Sequence, residues 1–84
     1  MKGRVVVVEP KADLAESLQG FISTLKDFSV VGMVSSGLAA MEAVASLLPD
    51  LLILDLSLPD ISGAEVAQWV GRMFPKTKVV LLIV

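Results

Sequence analysis

"LLILDLSLPDISG", residues 51–63, sets a short apolar run ahead of Asp55 and follows it with a turn through Pro59, Asp60, Ser62 and Gly63. Leu51–Leu54 is brief, rich in leucine and isoleucine and bounded by turn residues, the pattern of a buried strand. A carboxylate at the tip of such a strand is either a solvated strand end or a group presented for chemistry. The surrounding sequence bears on which.

Three other runs have the same character: Val5–Val8, Val30–Val34 (broken by Gly32) and Val79–Val84. Between them lie three segments with helical period. Leu14, Leu18, Phe21, Ile22 and Leu25 fall on one face of the first. The second starts after Ser35-Ser36-Gly37, with Ser36 as N-cap, turns Leu38, Met41, Val44, Ala45 and Leu48 inward, and stops at Pro49. The third opens on Ser62-Gly63-Ala64-Glu65, a capping-box pattern, and carries Val66, Trp69, Val70 and Met73, with Pro75 beyond. Trp69 reads as a partly buried packing residue, and Met33, Met41 and Met73 as core fillers. Pro10 suits the first turn of a helix, and Asp60 reads as a turn residue.

The order β-α-β-α-β-α-β implies right-handed crossovers and a parallel sheet. Continuous apolar strands fit a sheet covered on both faces, as does a composition 55% hydrophobic with mean hydropathy +0.81. Residues 1–84 read as one domain. The chain reaches Val84 inside an apolar run, so the expectation is a piece of a larger α/β domain.

Composition narrows the chemistry. The chain has no cysteine and no histidine, which removes disulfides, thiolate or imidazole metal sites and histidine bases. Only oxygen ligands remain, suited to hard cations. Seven Lys and Arg are scattered and the net charge is −2, against direct nucleic-acid binding by this segment. The apolar run after Met1-Lys2-Gly3-Arg4 ends at Glu9-Pro10, too short for a signal peptide, and no run is long enough for a membrane span. The expected location is cytoplasmic. An enzyme is disfavoured for want of a histidine, a cysteine, a glycine-rich phosphate loop or a second strong carboxylate.

In open α/β sheets, sites form beyond the carboxyl ends of the strands. Glu9 ends the first strand and Asp55 the third; on neighbouring strands these carboxylates would converge into an oxygen site for Mg²⁺. A carboxylate beside such a cation can act as a nucleophile toward phosphorus.

At this point a resemblance becomes specific. "PDLLILDLSLPDISGAEV" (49–66) is similar to the phosphorylation-site stretch of response-regulator receiver domains, the phosphoacceptor modules of two-component signalling. "FSVVGMVSSGLAAMEAV" (28–44) resembles that family's second strand and helix, and "FPKTKVVLLIV" (74–84) its fourth strand. The pattern most resembles receivers that precede a helix-turn-helix output domain. It implies a flavodoxin-like three-layer α/β sandwich, with a parallel sheet of order 2-1-3-4 and the fourth helix, fifth strand and fifth helix lacking. By position, the resemblance implies Asp55 as phosphoacceptor. It gives the Ser57 backbone carbonyl and Glu9 to Mg²⁺, alongside Asp55. Pro59 and Gly63 match the turn into the third helix.

The departures from the family pattern are specific too. The second acidic position is Pro10, which offers no side-chain oxygen, so weakened Mg²⁺ binding is expected. The family's Ser or Thr at the end of strand four falls near Ile83, and its strand-five lysine has no counterpart. The implied function is phosphoryl acceptance on Asp55 from a sensor histidine kinase or other phosphodonor, regulating a DNA-binding output domain. The alternative is a degenerate pseudo-receiver acting as a phosphorylation-independent interaction module. Uncovered apolar surface and an apolar fourth strand give the further expectation of a homodimer or larger assembly.

Overall fold

The computed structural model describes residues 3–83. Its elements are β1 (Gly3–Val8), α1 (Ala12–Ser23), β2 (Phe28–Val34), α2 (Gly37–Leu47), β3 (Leu51–Asp55), α3 (Gly63–Met73) and β4 (Lys78–Leu82). The strands form one parallel sheet in the order β2-β1-β3-β4. This is the flavodoxin-like arrangement expected from the sequence. The expected fourth strand is shorter at its end, because Ile83 lies outside β4 and Val84 outside the described residues.

Period-two alternation distributes the four valines of β1 between two cores. Val6 and Val8 join Leu52 and Leu54 of β3, Ala40, Ala43 and Val44 of α2, and Val66 and Val70 of α3. Val5 and Val7 face the other way, with Ile22 of α1 and the half-buried Leu18, Val30, Leu51 and Ile53. The layers are therefore α1, sheet, and α2 with α3. Full burial of a valine or leucine side chain contributes about 1.5–3 kcal/mol, so the first cluster is the larger source of stability.

The inward face of α2 differs from the one read off the sequence. Ala40, Ala43 and Val44 are buried, whereas Leu38 and Leu48 are 59% and 60% exposed and Ala45 is exposed. The helix presents Ala40, Ala43 and Val44 to the sheet, with Met41 and Leu47 packed beside them, and turns Leu38 outward. Leu48 leaves the helix in a left-handed conformation (φ 49°), which turns its side chain away ahead of Pro49. Met41 packs on the core, but Met33 and Met73 are exposed rather than core fillers. On α1, Ile22 is buried while Phe21 is 64% exposed, because the helix lies over β1 and β2 and leaves β4 uncovered. Trp69 is half-buried and meets Phe74 in a tilted pair, with ring centroids 5.4 Å apart and an interplanar angle of 55°.

The expected caps form. Ser36 Oγ accepts from Ala39 N at 3.1 Å and Ser62 Oγ from Glu65 N at 3.2 Å. Pro10 stands one residue before the N-cap Lys11, outside the first helical turn where the sequence placed it.

Candidate functional site

The parallel register of β1 and β3 pairs Val8 with Leu54, so the next residue on each strand, Glu9 and Asp55, arrives at the same end of the sheet. Both are buried, 2% and 4% exposed respectively. The convergence expected at the carboxyl ends of adjacent strands is present.

Each carboxylate is held from its own side. Glu9 Oε2 accepts from Lys11 N at 3.1 Å, and the Glu9 amide donates to Val34 O at 3.0 Å. Asp55 Oδ1 accepts from Ser57 N at 2.8 Å. Glu9 Oε1 is buried with no hydrogen-bond partner. Burial raises the Glu9 pKa above its ordinary value, and the Asp55 carboxyl beside it adds to that rise; the Lys11 amide opposes it. A buried oxygen without a donor costs free energy, and a cation between the two acids would offset that cost.

The turn behind Asp55 requires glycine. A Cβ on Gly63 would stand 2.5 Å from Asp55 O and 2.8 Å from Leu56 Cα, while Gly63 N donates to Leu56 O at 2.9 Å. Gly63 thus closes the loop directly on the backbone of the acidic residue. Across the sheet, Asp55 pairs with Leu82, and Leu56 N donates to Leu82 O at 3.0 Å. That register sets Ile83 one residue beyond Asp55's partner, 85% exposed and without a hydroxyl.

The Mg²⁺ implied by the resemblance fits this donor set in reduced form. Glu9 and Asp55 would hold it, with the Ser57 carbonyl as a third oxygen. Pro10 supplies none, and the described residues contain no group of three or more acidic side chains able to hold a metal. Mg²⁺ commonly binds through one or two carboxylates while keeping several waters, so two acids suffice for weak binding. The unpartnered Glu9 Oε1 is the observation that favours it.

Two contacts at the ends of α2 were not legible in sequence. Asp60, read as a turn residue, uses its carboxylate to accept from Gly37 N at 2.8 Å and Leu38 N at 2.9 Å, capping α2 from 23 residues away. Those two amides hold its pKa below the usual aspartate range. At the other end of α2, Arg4 Nη1 donates to Leu47 O and, at 3.3 Å, to Leu48 O. No local spacing signals either contact, because each joins elements brought together only by the sheet order.

Comparison with known proteins accords with this geometry. The response regulator receiver domain family matches residues 5–83. The transcriptional regulatory protein YhcZ of Bacillus subtilis is 29% identical over 94% of this chain and 37% of its own length. The response regulator protein VraR of Staphylococcus saprophyticus is 34% identical over 94% of this chain and 38% of its own. The chain therefore spans less than two-fifths of either relative. Among solved structures, the signal receiver domain of the putative response regulator NarL from Mycobacterium tuberculosis superposes with a TM-score of 0.92 at 34% identity, covering 98% of this chain and 66% of that one. The response regulator TrrA of Thermotoga maritima, solved in complex with Mg(2+)-BeF, gives 0.90 at 30% identity, covering 99% and 70%. With four parallel strands in the family's order and Asp55 at the tip of the third, the chain belongs to the response regulator receiver domain family.

Proposed function

We propose that the chain accepts a phosphoryl group on Asp55 from a sensor histidine kinase or a small phosphodonor, and so regulates an output domain of its parent protein. The observation that carries this reading is the buried Glu9–Asp55 pair with Glu9 Oε1 unpartnered at the carboxyl end of the sheet. When bound, Mg²⁺ would supply positive charge to the transferring phosphoryl oxygens. An Asp55 carboxylate oxygen attacks phosphorus, the P–N bond to the kinase's histidine or the P–O bond to a small donor's carboxylate breaks and the donor leaves, and an acyl phosphate forms on Asp55. Burial shields that acyl phosphate from water. Lys11 N holds Glu9, and Ser57 N orients Asp55 for attack. The chain then acts as a cytoplasmic switch, not as an enzyme with a released product. The direct test is intact-mass analysis after incubation with acetyl phosphate and millimolar Mg²⁺. Partial, Mg²⁺-dependent gain of one phosphoryl group, absent in Asp55→Asn, is expected. No gain at any Mg²⁺ concentration would refute the reading.

A second reading, phosphorylation-independent association, is favoured by Pro10, by Ile83 in place of a hydroxyl, and by an apolar groove beside α1. Leu18, Phe21, Leu25, Phe28, Val80 and Leu82 help line a recess of about 200 Å³, smaller than the usual 300–1,000 Å³ of small-molecule sites. Its occupant on this reading is a second copy of the chain, whose equivalent face is equally apolar. Burying ~400 Å² there would gain roughly 10 kcal/mol before association costs. Light scattering should give a homodimer at micromolar concentration, reverting to monomer in Phe21→Lys. A monomeric wild-type protein would contradict it.

A further inference from the structure

The amides of the first four residues of α2 all find acceptors, and two of the three that lack an intrahelical carbonyl are met from outside the helix. Ala40 N donates to Ser36 O at 3.0 Å, Ala39 N to Ser36 Oγ, and Gly37 N and Leu38 N to the Asp60 carboxylate. A helix start leaves four such donors, and a single N-cap residue meets only some of them. Asp60 is therefore not redundant with Ser36. α2 also carries no acidic residue in its own first turn, so Asp60 brings the negative charge that its positive end favours.

A second contact joins the same two segments. Gly37 is buried against Ile61, so closely that a Cβ would come within 2.3 Å of Ile61 Cγ1 and 3.2 Å of Asp60 Oδ1. Ile61 itself packs on the core shared by α2 and α3. The loop from Leu56 to Ser62 is thus fixed at three places. Ser57 N is held by Asp55 at its start, Gly63 N by Leu56 O at its end, and Asp60-Ile61 by α2 at its middle.

We propose that Asp60 is a positioning residue for the acceptor site: by tying the middle of the Asp55–Gly63 loop to α2, it sets the placement of Ser57 at Asp55 and couples that site to the start of α2. The proposal rests on the acceptor reading of Asp55 for its functional meaning, but its geometry stands apart from it. A cap that served α2 alone would matter only to α2. A clasp transmits in both directions. Loss of Asp60 loosens Ser57, and a change at Asp55 shifts Gly37 and Leu38.

Amide hydrogen exchange by NMR on the metal-free protein separates these cases. In Asp60→Ala, exchange at Gly37 and Leu38 should rise about fivefold, the size of a typical lost cap. Exchange at Ser57 should rise with it. Asp60→Asn loses the charge and one of the two acceptor oxygens, so it should raise exchange at Ser57 in the same direction by a smaller factor, and it serves as the readable variant if Asp60→Ala fails to fold. Wild-type exchange at Ser57 in either variant, with Gly37 and Leu38 accelerated, would reduce Asp60 to a helix cap and overturn the proposal. The second measurement adds Mg²⁺ and beryllofluoride to the wild-type protein. Shifts at Ser57 should be accompanied by shifts at Gly37 and Leu38 that shrink in Asp60→Asn and disappear in Asp60→Ala. Shifts confined to Ser57 would overturn the coupling. Absence of any shift at Asp55 or Ser57 would count against phosphoryl acceptance, leaving the exchange result to judge Asp60.

Discussion

Replacing Gly63 by alanine should damage the fold and the site together. Its new Cβ would meet Asp55 O at 2.5 Å, Leu56 Cα at 2.8 Å and Leu56 O at 3.1 Å, all backbone atoms that no rotamer change can move. The first contact is about 0.9 Å inside the 3.4 Å at which ordinary van der Waals contact begins. Overpacking usually costs about 1–3 kcal/mol. Here relief requires the end of β3 to shift, so a value near ~3 kcal/mol is expected. Against a total stability of about 4–12 kcal/mol for a chain this size, that loss is large. With a urea dependence of about 1 kcal/mol per molar, the unfolding midpoint should fall by ~3 M. Gly20 provides the opposite case. It lies within α1 with nothing within 4 Å of the Cβ position, so Gly20→Ala should stabilise by about 0.5–1 kcal/mol. Urea titrations followed by Trp69 fluorescence and circular dichroism measure both. A Gly63→Ala protein within about 0.5 kcal/mol of wild type would refute the close approach that shapes the turn after Asp55.

Two carboxylates should give opposite pH dependence. The raised Glu9 pKa contributes stability that is full at acid pH and lost as pH rises through the raised value. Glu9→Gln should therefore stabilise the metal-free protein at pH 7 by about 1 kcal/mol, and that gain should fade on acidification. The lowered Asp60 pKa does the reverse: its contribution is full at neutral pH and is lost as pH falls through a value below the ordinary aspartate range. The difference between wild type and Asp60→Asn, measured by urea unfolding across pH, should shrink only in strong acid; a difference that persists unchanged there would refute it. Mg²⁺ titrated against amide shifts at Asp55 should saturate only at millimolar concentration, and Pro10→Asp should tighten it. Saturation of the wild type below millimolar would show that the missing second acid costs little.

Strand identity and the two serine caps were legible because each follows from a local pattern, whereas the strand order, and with it the convergence of Glu9 with Asp55, came from the resemblance to the receiver family. Apolar runs bounded by turns mark strands, and a serine ahead of helical period marks a cap. The rotation of α2 was not legible. Leu38 and Leu48 carry more apolar surface than Ala40 and Ala43, and only the packing of helix against sheet favours the smaller side chains. Asp60 was missed for a related reason: its partners lie 23 positions earlier, joined to it only by the order of strands. Arg4 on Leu47 and Leu48 is the same kind of contact at the opposite end of α2.

Asp55 is the proposed phosphoryl acceptor. That role is tested most directly by incubating the protein with acetyl phosphate and Mg²⁺, reducing the product with borohydride, and sequencing the peptides by mass spectrometry. Borohydride reduces an aspartyl phosphate to homoserine and leaves free carboxylates unchanged, so the acceptor is marked in place. Homoserine at position 55, with Asp60 unreduced and Glu9 not converted to the corresponding five-carbon hydroxy amino acid, is the expected result. Unreduced Asp55 in a protein that has gained a phosphoryl group, or homoserine at another position, would contradict the account.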